Sequence, residues 1–177
     1  NDQGNYPSDW EEIGDLLRDQ NFRQGLSHAM DRDAIIDAVW DGDGTPQQAT
    51  ISPQSRHFAR PEGQAVYEEW RDAYVAYDPD LAAEHFEKAG FVDADGDGIR
   101  DLPSGAPFTL VLDQGDWGGA TVSQLGTEAF ASDLQEMGID VLINDLIGQP
   151  DWSLRHKEGL FMLRNMHASE LDVWTFP

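Results

Sequence analysis

Asn21 to Val39, NFRQGLSHAMDRDAIIDAV, is the stretch whose reading decides the fold. Leu26, Ala29 and Met30 recur at helical spacing on one face. Ala34, Ile35, Ala38 and Val39 repeat that spacing after a polar break at Asp31-Arg32-Asp33. The pattern predicts two consecutive helices with an acidic corner between them. Asp31 is placed to cap the second helix, because its carboxylate can accept from the free N–H groups of the first turn.

Upstream, residues 1–8 are polar, contain Gly4 and Pro7, and read as a loose lead-in to a single domain spanning 1–177. Ser8 or Asp9 is expected to cap a short helix from Trp10 to about Arg18, with Glu11 and Glu12 in its first turn. Downstream, Asp41-Gly42-Asp43-Gly44-Thr45-Pro46 stops the second helix, and Gln47 to Pro61 reads as loop. Glu62 to Tyr77 carries Val66, Trp70, Ala73 and Tyr74 at helical spacing. Pro79 then starts a helix through Lys88, closed by Gly90 at the C′ position.

The C-terminal half changes period. PFTLVLD (Pro107 to Asp113) is β-branched and apolar, hence a strand, and Gln114 to Gly119 is a turn. Ala120 to Met137 is a helix with Leu125, Ala129, Leu134 and Met137 expected inward, and Gly138 stops it. Ile139 to Leu146 alternates as a strand, Asp151 to Glu158 is a short helix, and Leu160 to Met166 is an apolar strand. That order predicts a βαβ core with parallel neighbours and a right-handed crossover. The expected class is α/β, a mixed sheet with a βαβ core flanked by helices.

Composition narrows the functions. Asp and Glu total 34 against 11 Lys and Arg, a formal net charge of −23, and the lysines are Lys88 and Lys157. Such a surface repels nucleic acid, whose binding needs cations against phosphate, and it repels anionic membranes. It suits solubility in high salt, where self-repulsion is screened. Six tryptophans and 40% hydrophobic residues argue for a packed core. The absence of cysteine removes thiol chemistry and disulfides and is compatible with export. No apolar run approaches the roughly 20 residues that span a bilayer, so no direct membrane insertion is expected. The chain as given has no start methionine and no basic-then-apolar leader, and reads as an excised piece or a mature fragment.

Three segments carry a resemblance, in order. They are Phe22-Arg23-Gln24-x-Leu26-Ser27-His28-Ala29-Met30-Asp31-Arg32-Asp33-x-Ile35-Ile36, then Tyr77-Asp78-Pro79 leading to Ala89-Gly90-Phe91, then the long helix ending Gly138-Ile139-x-Val141. Together with Gly42-x-Gly44-x-Pro46, they resemble the family 5 extracellular solute-binding proteins, the peptide, nickel and related receptors of ABC importers. The resemblance implies one lobe, part of the second, of a two-lobed periplasmic-binding-protein-like fold that closes on its ligand by a hinge. It implies a non-enzymatic receptor that captures a small solute, usually a peptide, outside the cell and presents it to a membrane permease. The location it implies is periplasmic or extracellular, with a lipid anchor on the full-length protein.

Two sets of residues are candidates for sites. In open α/β folds ligands sit beyond the carboxyl ends of parallel strands, and aromatic platforms with a few polar groups make a solute cleft. Trp117 follows the first strand, and Arg164, His167, Glu170, Asp172 and Trp174 follow or end the last. The resemblance places the segment after this last strand at the cleft. The second set is Asp93, Asp95, Asp97 and Asp101 in DADGDGIRD, at loop positions 1, 3, 5 and 9 with Gly98 at position 6, which matches much of a calcium loop. Arg100 at position 8 and Ser104 at position 12 depart from that pattern, and a turn built by Asp and Gly is the competing reading. Proteins resembling this family often carry such a segment outside their transport function. No cofactor is expected beyond that candidate calcium. An extracellular calcium-binding adhesion or scaffolding module is the alternative function. An acidic hydrolase has only abundant carboxylates behind it. The five histidines show no metal-binding helix spacing, and His28 reads as a packed helix residue.

Overall fold

The computed structural model describes residues 10–48, 53–115, 121–146, 154 and 163–164. The expected cap at Ser8 or Asp9, the lead-in, and most of the helix expected at Asp151 to Glu158 lie outside them. The element order is α1 (Trp10–Arg18), α2 (Gln20–Ala29), α3 (Arg32–Trp40), a 3-10 turn (Arg56–Phe58), α4 (Pro61–Asp72), α5 (Pro79–Lys88), β1 (Thr109–Gly115), α6 (Thr121–Glu136), β2 (Asp140–Leu146) and β3 (Leu163–Arg164).

Side-chain caps set the starts of α2, α3 and α5. Asp19 Oδ1 accepts from Phe22 N at 2.9 Å, Asp31 Oδ1 from Ala34 N at 2.9 Å and Asp78 Oδ1 from Leu81 N at 3.0 Å. The acidic corner at Asp31 is therefore the joint between α2 and α3 that the sequence predicts. The sheet order is β2-β1-β3, and both pairings are parallel. β1, α6 and β2 form the expected βαβ unit. An antiparallel bridge joins Val92 to Asp101 outside the sheet.

The core lies where α2 and α5 pack together and meet the sheet. Phe22, Phe86 and Phe91 are fully buried and Phe108 nearly so. Phe91 meets Phe22 edge-on at 5.2 Å between centroids and Phe108 at 5.6 Å. Such pairs add about 0.5–1.5 kcal/mol each beyond the area they bury. Leu110 and Leu112 of β1, Ile139 and, from α6, Ala131 and Leu134 belong to the same cluster, as do Ile13 and Leu16 of α1.

The helical faces depart from expectation in three places. On α6, Leu125 is 46% exposed, whereas Thr127, Ala131 and Leu134 face inward. Both sets fit helical spacing, and the strands choose the second. On α4 and the residues after it, Val66, Trp70 and Tyr74 are exposed, and the helix is held instead by Tyr67 packing on Phe58 at 5.1 Å. On α3 no residue is fully buried. Ala34 and Ala38 point to solvent, while Ile35 and Val39 are half-buried.

Candidate functional site

The strand ends carry the first candidate. Register in the parallel sheet aligns Asp113 of β1 with Asn144 of β2 and with Arg164 of β3. Near the carboxyl end of β1, Asp113 is completely buried, and its Oδ1 accepts from Asn144 Nδ2 at 2.7 Å. Gln114 beside it is 3% exposed. A carboxylate is buried only where donors surround it, so this end of the sheet is a built polar floor. Neither Asp113 nor Asn144 stands out in the sequence. The available signal was a carboxylate closing an apolar strand and an asparagine within an alternating one. Of the residues expected to line the cleft, Arg164 has its backbone in β3. Trp117, His167, Glu170, Asp172 and Trp174 lie outside the described residues.

The acidic loop is the second candidate. The carboxylates of Asp93, Asp95 and Asp101 approach within 4.8 Å of one another, and Asp97 is not part of that group. The loop's own backbone supplies donors to these groups. Asp93 accepts from Gly96 N at 2.7 Å and Gly98 N at 2.9 Å. Asp95 accepts from Asp97 N at 3.1 Å, Asp97 from Ile99 N at 2.7 Å, and Asp101 from Ala94 N at 2.9 Å. The Asp95–Asp97 and Asp97–Ile99 bonds are Asx turns and the others close the loop across its width, the physical content of the turn reading. Arg100, which breaks the calcium pattern, fastens the loop to the fold. Its Nε donates to Met137 O at 2.9 Å, its Nη1 to Phe91 O at 3.0 Å and its backbone N to Gly138 O at 2.7 Å. The carbonyls at the end of α6 thereby gain partners. Gly138 is required there: its φ is +74° and an added Cβ would stand 2.7 Å from Gly98 O. An open groove of about 450 Å³, rimmed by Glu87, Asp93 and Glu136, runs beside this loop. It lies at the amino end of β2, away from the strand ends where solutes bind in open α/β folds.

The stretch that decides the fold has a structural task. Ser27 Oγ donates to Tyr74 O at 2.7 Å, and Nδ1 of His28 donates to Ala76 O at 2.8 Å. Arg32 Nη1 donates to Ser27 O at 2.7 Å and Val75 O at 3.2 Å, and its Nη2 to Ser27 Oγ at 2.9 Å. Gln48 Nε2 donates to Ser27 Oγ at 2.7 Å and Ala73 O at 2.8 Å. Four successive carbonyls, from Ala73 to Ala76, are each taken by one of these side chains. Ser27 Oγ uses its one donor and both acceptor sites. Within the clamp Tyr74 sits at φ +56°, a left-handed conformation that a bulky residue keeps only when its surroundings over-determine it. His28 is 6% exposed, a packed helix residue as read from sequence.

A fold of helices around a small parallel sheet, with a polar floor at its strand ends and a motif-bearing helix pair, defines one lobe of an α/β binding protein. The family profile described as "Bacterial extracellular solute-binding proteins, family 5 Middle" matches residues 8–176, and the chain belongs to that family. It is 32% identical over 108 residues to the oligopeptide-binding protein AppA of Bacillus subtilis, covering 60% of this chain and 18% of that protein. Among solved structures it superposes on an oligopeptide-binding protein OppA with a TM-score of 0.71 at 27% identity, over 87% of this chain and 22% of that one. It also superposes on AppA from Bacillus subtilis in complex with a nonapeptide, with a TM-score of 0.61 at 26% identity, over 81% and 25%. The chain thus spans about a fifth to a quarter of the length of these relatives. The family is one of substrate-binding proteins, not of enzymes. Among the described residues no helix is long and apolar enough to cross a membrane.

Proposed function

We propose that the chain forms part of the substrate-binding component of an ABC importer, capturing a peptide outside the cell for delivery to a membrane permease. The observation that carries this reading is the family match across residues 8–176, joined to fold likeness with proteins named for oligopeptide binding. The buried Asp113–Asn144 pair supports it, because it gives the strand ends fixed polar groups where a solute would lie. In this reading Arg164, His167, Glu170, Asp172, Trp117 and Trp174 line the cleft. The aromatics are stacking platforms. The acids receive a peptide's α-ammonium or basic side chains, and Arg164 receives carboxylate or carbonyl oxygen. A second lobe closes over them, which excludes water and strengthens those contacts. The receptor acts in the periplasm or outside the cell, held near its permease by a lipid anchor.

The test is calorimetric titration of the protein, in a polypeptide that includes a second lobe, with mixed tri- to nonapeptide pools. Binding with a micromolar or tighter Kd, weakened at least about tenfold by Glu170→Gln or Trp174→Ala, supports the reading. Such a loss corresponds to about 1.4 kcal/mol. Saturable binding of a sugar or metal chelate with no response to any peptide pool overturns the peptide assignment.

A further inference from the structure

Away from the strand ends, tertiary structure brings together two histidines far apart in sequence. The rings of His28 on α2 and His85 on α5 lie 7° from parallel, with centroids 5.8 Å apart. Both Nδ1 atoms are committed as donors, since Ala76 O at 2.8 Å and Asn21 Oδ1 at 3.2 Å are acceptors. Each ring can therefore gain a proton only at Nε2, and doing so at both would set two cations face to face across the α2–α5 seam. His28 is 6% exposed and takes the edge of Tyr74 at 6.0 Å and 84°, while His85 is half-buried, so water screens that repulsion only in part.

We propose that the His28–His85 stack is a proton-sensitive clasp. In mildly acidic medium the rings separate, which loosens the α2–α5 seam and the 73–78 connection that His28 holds.

The surroundings favour the neutral pair. On α5, Lys88 opposes a charge on His85 and Glu84 favours one, and these two form their own ion pair at 3.5 Å. From α2 the partner is Asn21, which is neutral. From the connection come the Tyr74 ring and Asp78, whose carboxylate caps Leu81 and whose backbone N–H donates to His28 O at 3.0 Å. Burial, then Lys88, then His28 lower the His85 pKa below its ordinary value, against Glu84. The folded protein thus holds this proton less tightly than the unfolded chain. The stabilising contribution is complete above the ordinary histidine pKa of about 6.5 and is lost as pH falls through the lowered value. Asp133 behaves oppositely: burial raises its carboxyl pKa, so it favours folding as pH falls. The comparison between variants, not one pH curve, isolates the clasp.

Thermal melts of the full chain from pH 7.5 to 5.5 are compared for wild type, His85→Gln and His85→Leu. Imidazole titrations are followed by NMR alongside. Wild type is expected to lose at least about 3 °C more than either variant across that range. Replacing His28 by Gln is expected to raise the His85 midpoint, since a charge on His28 is among the causes that lower it. A purely structural role would lower Tm equally at every pH. Parallel Tm curves, or a His85 midpoint unmoved by His28→Gln, overturn the proposal. If His85→Leu fails to fold, the smaller and polar His85→Gln carries the melting readout.

Discussion

Replacing Arg32 by methionine removes the guanidinium from the clamp while keeping most of the side chain's length. Arg32 gives up bonds of 2.7 Å to Ser27 O, 3.2 Å to Val75 O and 2.9 Å to Ser27 Oγ. A hydrogen bond from a charged donor is worth about 1.5–3 kcal/mol when its partner is buried. The site is only part-buried, so water can reach some of the freed carbonyls. Burial also lowers the Arg32 pKa, which means that the guanidinium gives up hydration to sit there. The net loss is therefore about 2–3 kcal/mol for the three bonds together, not their sum. For a chain of this size that is about 4–10 °C in Tm. Arg32→Lys keeps the charge but not the fork that reaches two carbonyls and a hydroxyl, and recovers about half of the loss. Urea denaturation of wild type, Arg32→Met, Gln48→Leu and the double variant completes the cycle. Arg32 and Gln48 converge on Ser27 Oγ, so a coupling of at least about 0.5 kcal/mol is expected. Additive losses, or an Arg32→Met variant that melts within about 1 °C of wild type, would refute the clamp as a source of stability.

Three further outcomes follow from the same geometry. Gly25→Ala sets a Cβ 2.6 Å from Phe86 Cε1 in a fully buried ring cluster; overpacking of about 1–3 kcal/mol outweighs the helix gain of about 1 kcal/mol, and a raised urea midpoint would contradict it. Calcium at millimolar concentration leaves Tm unchanged within about 1 °C, because the Asp93–Asp101 carboxylates already accept from the loop's own N–H groups; a saturable rise, abolished by Asp93→Asn, would reverse the turn reading. Raising sodium chloride from 0.1 M to 2 M increases Tm by on the order of 5 °C, since a net charge of −23 is then screened within a few ångström. Equal melts in both salts would count against salt adaptation.

Much of this architecture was legible because local signals are strong where they are short-range. Pro79 with Asp78 before it fixes the start of α5, and Gly90 at φ +74° fixes its end. Asp31 as a cap needed only its own carboxylate and the N–H three residues on. Leu125 turns outward because α6 offers two faces at helical spacing, and only packing against β1 and β2 selects between them. The exposed Val66 and Trp70 show the same limit: helical spacing predicts a face, not what covers it. At the strand ends, neither Asp113 nor Asn144 announces itself, because each becomes a site feature only when parallel pairing puts β1 beside β2.

The sequence by itself determined most of the element order, the Asp31 cap and the family, since each rests on residues a few positions apart. The tertiary structure alone decided which carbonyls Ser27, His28 and Arg32 serve, that Arg100 ties the acidic loop to α6, and that His28 meets His85. Those contacts join residues far apart along the chain, and no periodicity or spacing encodes a distance that only folding creates.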